Sequence, residues 1–126
     1  MATDTQIRTI PQLSQLCYAD WSRWRETEAL SHYIKDYKYL TPIERVLRTS
    51  WEKVGTILVA QYPHVFPWSP EKEEDFKISY YNNRHGQANA FLDHCRQTLS
   101  FDMFMWGLYQ AGHRDTVREL CPHLFV

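Results

Sequence analysis

Four glycines among 126 residues cannot build a phosphate cradle. Nothing resembles G-x-G-x-x-G or G-x-x-x-x-G-K-[ST], whose tight turns bring backbone amides onto an anion. The three cysteines, Cys17, Cys95 and Cys121, form no C-x-x-C pair, and an odd number suits reduced thiols inside a cell. A net charge of −1 removes the chain-wide basic field that nucleic acid or anionic lipid would call for. No run approaches the ~20 apolar residues of a spanning helix. The opening "MATDTQIRTIPQLSQ" lacks the basic-then-apolar order of a secretory signal. The expectation is a soluble protein of the cytoplasm or nucleus that does not associate with membranes. Internal repeats and low-complexity segments are missing as well.

What is present is a globular balance, 44% hydrophobic and 23% charged, at a length that suits one domain over residues 1–126. Aromatic residues make up 15%, with five Trp and eight Tyr. Such a surplus supplies a dense core, anchor residues for a partner, or both.

Apolar residues recur at intervals of three and four, which marks helices. Between Pro11 and Trp24 the stripe is Leu13, Leu16, Cys17, Trp21 and Trp24; from Glu26 to Tyr39 it is Leu30, Tyr33, Ile34 and Tyr37. With no Gly or Pro near Arg25, these are two helices or one bent one. "LTPIE" reads as a helix start, with Thr41 capping, Pro42 first and Glu44 completing a capping box. That helix runs through Ile43, Val46, Leu47, Trp51, Val54, Ile57 and Leu58 to about Tyr62.

Pro63, Pro67 and Pro70 then interrupt regular structure. Ser69, Pro70 and the acidic first turn "EKEED" start the next helix, because carboxylates suit its positive end. Asn82 or Asn83 caps a helix over 84–98, carried by Ala88, Phe91, Leu92, Cys95 and Leu99. Ser100 caps another, with Phe101, Phe104, Met105 and Leu108 facing inward, and Gly112 ends it. A last helix, 113–121, stops at Pro122. The reading is an all-α bundle of five to seven helices.

Candidate chemistry is thin. His94 and Cys95 are adjacent on a helix, so they point about 100° apart and chelate poorly. Cys17 and Cys95 lie on core stripes, where a thiol is inert. The sequence therefore predicts no enzyme, no metal and no cofactor. "DWSRWRE" places Trp21, Arg23, Trp24 and Arg25 together. Stacking and charge could hold single-stranded nucleic acid there, and the same residue types form protein hot spots. The near-zero net charge favours a protein partner. The tail "HLFV" could add to a partner's sheet edge; packing back onto the bundle is the preferred reading.

The stretch from Arg84 to Leu120 resembles the last helices of the death-fold superfamily, especially caspase-recruitment domains. The matching residues are Arg84, Phe91, Leu92, Asp93, Phe101, Phe104, Gly107, Leu108, Ala111, Gly112, Val117 and Leu120. "ALSHYIKDYKYLTPIERVL" (Ala29 to Leu47) looks like the family's second and third helices through Leu30, Tyr33, Ile34, Leu40, Thr41 and Glu44. The third helix is longer than the family's, and residues 62–83 stand as an insertion. The resemblance implies a Greek-key helical bundle that binds like modules, an adaptor or regulator in innate-immune or cell-death signalling. It implies assembly through opposite charges, here Arg23, Arg25, Arg84 and Arg96 against Glu26, Glu28, Asp36 and Asp93. Two other readings stay open: a small viral or microbial accessory protein that binds a host factor, and a helical nucleic-acid binder using residues 21–25.

Overall fold

Ile43, Leu47, Trp51, Val54 and Leu58 recur every three or four residues, and all five are fully buried. They form the inner stripe of the longest element in a computed structural model that describes residues 29–122. Six helices follow in order: α1 (Leu30–Tyr33), α2 (Tyr37–Gln61), α3 (Pro70–Ser79), α4 (Arg84–Cys95), α5 (Phe101–Gln110) and α6 (Arg114–Leu120). The described residues are helical with no strand, as an all-α bundle requires; the single extended contact is a bridge between Ala29 and Ser100. The expected helix over 11–24 lies outside the described residues.

α2 is the axis against which α4, α5 and α6 pack. Its start differs from the sequence reading. Asp36, not Thr41, is the N-cap, and its carboxylate accepts the Lys38 amide at 2.9 Å. Pro42 therefore sits buried in the second turn, where it gives no amide to the Lys38 carbonyl. The expected helix over 26–39 is interrupted for the same reason: residues 34–36 form a turn that delivers Asp36 to its capping position. The stretch that resembles two family helices is thus the short α1 and the first part of α2.

Downstream starts agree with the local signals. Ser69 accepts the Lys72 amide and Pro70 leads α3; Asn83 accepts the Gly86 amide at 2.9 Å. α3 lies within residues 62–83, so this segment carries a helix of the bundle. α4 ends at Cys95, three residues earlier than the sequence reading placed its end. Ser100 occupies the N-cap position of α5, but its hydroxyl bonds the Asp102 carboxylate and caps no amide.

The corner between α5 and α6 is a Schellman turn. The Gly112 amide reaches the Tyr109 carbonyl (3.1 Å) and the His113 amide reaches Leu108 (3.0 Å). Gly112 takes φ 99°, which L side chains avoid.

Two aromatic clusters fill the space on either side of α2. Trp51, Phe66, Trp68, Phe76 and Phe91 interlock, with Trp68 edge-on to Phe91 at 5.1 Å. Tyr33 stacks on Phe101 at 3.8 Å and holds α1 against α5. Burying each large side chain contributes about 1.5–3 kcal/mol, so these rings dominate the core.

α5 approaches α2 closely because residue 107 has no side chain. A Cβ there would lie 2.5 Å from Leu58 Cδ2. Gly107→Val is expected to lower stability by about 1–3 kcal/mol through overpacking, read as a fall in the denaturation midpoint. An unchanged midpoint would contradict the close approach.

Candidate functional site

Arg84 was expected on a partner-binding patch. The α4 start instead turns its guanidinium inward along α2. Nε donates to the Arg48 carbonyl at 2.7 Å, and Nη1 and Nη2 donate to the two Glu52 carboxylate oxygens at 2.7 and 2.9 Å. Nη1 also reaches Gln87 Oε1 at 3.0 Å. The Gln87 side chain is buried and fully engaged: Oε1 accepts the Trp51 indole N–H at 3.1 Å, and Nε2 donates to the Tyr80 carbonyl. Arg84 lies over the Trp51 ring at 5.9 Å. Burial works against the Glu52 charge, yet the hydrogen bonds and positive charge of Arg84 outweigh it and hold the carboxyl below its usual range. Arg84 in turn keeps its proton more firmly, chiefly through its bond to Glu52. This group is a clasp joining α2, the α3–α4 turn and α4.

The other site residues predicted from sequence divide as follows. Trp21, Arg23, Trp24, Arg25, Glu26 and Glu28 lie outside the described residues. Asp36 caps α2. Asp93 and Arg96, assigned to opposite patches, are one turn apart on α4 and pair at 3.3 Å; they cannot serve as separate poles. Both line a groove of about 550 Å³ with Ile34, Leu40, Glu44 and Tyr80.

The described surface separates charge elsewhere. Lys38, Arg45 and Arg48 are exposed on α2, at spacings of seven and three that place them on one stripe. Glu71, Glu74, Asp75 and Ile78 are exposed on α3 at spacings of three, one and three, again one stripe. Ile78 is 65% exposed, an apolar residue set beside three carboxylates. The basic stripe is legible in the sequence as Lys38, Arg45 and Arg48 falling outside the apolar positions of α2. The acidic cluster reads there only as a helix start.

Nucleophile and metal chemistry find little support. Cys95 and Cys121 are buried, and burial pushes the Cys95 thiol well above its ordinary value, away from the reactive thiolate. Among the described residues, no group of three His, Cys, Asp or Glu could hold a metal ion. No helix among them is long and apolar enough to cross a membrane. Protein-family models, curated proteins and solved structures give no match to this chain.

Because its donors are committed within the fold, Arg84→Glu is expected to act on stability first. It removes the donors to the Glu52 carboxylate and the Arg48 carbonyl and sets a second carboxylate beside Glu52, a loss of about 1–2 kcal/mol for this half-exposed pair. Chemical denaturation checks this; a variant as stable as the wild type would free Arg84 for the surface role.

Proposed function

We propose that this domain is a non-enzymatic protein-interaction module of caspase-recruitment kind. In this reading it is an intracellular adaptor or regulator in innate-immune or cell-death signalling, and its partner is a like helical module or a second copy. The observation that carries the reading is the pair of exposed, oppositely charged stripes on different helices: Lys38, Arg45 and Arg48 on α2, and Glu71, Glu74 and Asp75 on α3. The death-fold resemblance of residues 84–120 supports it.

The physical logic is complementarity. Isolated surface ion pairs contribute little, but two stripes meeting across an interface steer encounter and reject wrong partners through like-charge repulsion. Ile78 adds an apolar contact that can be dehydrated at the C-terminal end of the acidic stripe. Because the basic and acidic stripes lie on separate helices of one copy, a copy that uses one stripe keeps the other for a further copy or returns it to the same partner across a two-fold axis.

The test is light scattering of the full chain across concentration. Arg45→Glu and Glu74→Lys should each raise the concentration needed for assembly at least about tenfold, roughly 1.4 kcal/mol. Mixing the two variants should restore association, since each then carries one intact stripe. Equal assembly of both variants and wild type would overturn the assignment of these stripes.

A further inference from the structure

Near the middle of α2, Ser50 leaves helical geometry, at φ −146° and ψ 26°, and the helix kinks there. Proline is not the cause, because Pro42 lies eight residues earlier. The Ser50 Oγ lies 2.9 Å from the Val46 carbonyl, a contact that competes with the helix ladder. His113 Nε2 stands 2.6 Å from the same Oγ. The hydroxyl has one hydrogen, and the Val46 carbonyl already accepts Thr49 Oγ1 at 3.0 Å, so we assign the Ser50 hydroxyl as donor to an unprotonated Nε2, with the ring hydrogen on Nδ1. His113 is held at this point by the Schellman corner between α5 and α6. One half-buried imidazole therefore bridges the bend of the longest helix to the far end of the bundle.

We propose that His113 is a proton-sensitive latch that holds the bend in α2, and that protonation of Nε2, which removes the acceptor of the Ser50 hydroxyl, releases it. The groups facing the imidazole determine the direction. From α2 comes Lys53, three residues beyond the kink. From α6 come Arg114 and Asp115, which share with His113 a cleft of about 430 Å³. From α5 comes Tyr109, whose ring lies under Arg114 at 5.5 Å. Cations outnumber the single carboxylate, and Asp115 is almost wholly exposed to water, which screens it. An imidazolium at this site would be half-buried beside Lys53.

Burial and the Lys53 charge both lower the affinity of His113 for a proton below its ordinary value of 6.5. The sign follows by linkage. The latched form holds protons more weakly than a released form in which the ring turns to water. Latching is therefore fully favoured above about pH 6.5 and lost as the pH falls below it. Release lets residue 50 resume helical geometry, which swings the half of α2 carrying Lys38, Arg45 and Arg48 relative to the half packed on α4. The device stands on the Ser50–His113 geometry and holds whether or not the charged stripes mediate assembly.

The experiment uses the full chain with Cys17→Ser, and spin labels at Thr41→Cys and Thr56→Cys on exposed turns either side of the kink. Double electron–electron resonance reads their separation, and the imidazole proton signal reports His113 titration. A straight helix would set these backbone positions about 22 Å apart. The wild type should start shorter at pH 7.5 and lengthen toward that value by pH 5, in step with the imidazole. His113→Gln, which keeps an acceptor and does not titrate, should stay short at both pH values. His113→Ala should be long at both, and Ser50→Ala, which favours helix, should be long at pH 7.5 and serves if the first variant fails to fold. A wild-type separation that stays fixed while His113 titrates, or a folded Ser50→Ala as short as the wild type, would overturn the latch.

Discussion

The buried amide of Gln87 is the constraint on which the remaining structure depends. An amide inside a core costs several kcal/mol unless its groups are bonded, and here the Trp51 indole, Arg84 and the Tyr80 carbonyl meet it. Trp51 is the largest fully buried side chain; the orientation that satisfies its N–H also turns its ring toward Trp68, Phe76 and Phe91. Polar satisfaction and aromatic packing thus point to one arrangement of α2 and α4. The Glu52 carboxylate extends the same arrangement to the surface through Arg84.

From that fixed pair the other helices follow. α5 closes on α2 where the Leu58 side chain packs against the bare Cα of Gly107, and the Schellman turn at Gly112 reverses the chain so that α6 returns against α2. α3 has no fully buried residue of its own. It is held through half-buried Phe76 and the Ser69 cap, beside Trp68, while its acidic stripe faces water.

Much of this architecture was legible because its signals are local. Ser69 before Pro70, Asn83 before Gly86 and Gly112 after the α5 stripe each act within a few residues, and the apolar interval of α2 marks its buried face unaided. The failures have equally specific causes. "LTPIE" carries a capping pattern, yet Asp36 offers a carboxylate one turn earlier, and Tyr39 and Leu40 extend the helix back to it. Ser100 holds the N-cap position of α5 but accepts no amide, its hydroxyl donating to the Asp102 carboxylate. Arg84 looked like a free surface cation because its partners, Glu52 and the Arg48 carbonyl, lie more than thirty residues away. Asp93 and Arg96 were assigned to separate patches although helical spacing alone pairs them. The kink at Ser50 sits against His113, sixty-three residues distant, and nothing local in the sequence reports that partner.

The most direct measurement of this account is a double-mutant cycle joining Trp51→Phe and Gln87→Leu, followed by chemical denaturation of the full chain. Gln87→Leu strands the buried indole N–H, and Trp51→Phe takes one of two donors from the Gln87 carbonyl, whereas the double change removes the pair. The account predicts a coupling of at least about 1 kcal/mol, with the double variant more stable than the sum of the single losses implies. Losses that add within about 0.5 kcal/mol would show that the indole and the amide act independently, and the clasp would not be what fixes α2 against α4.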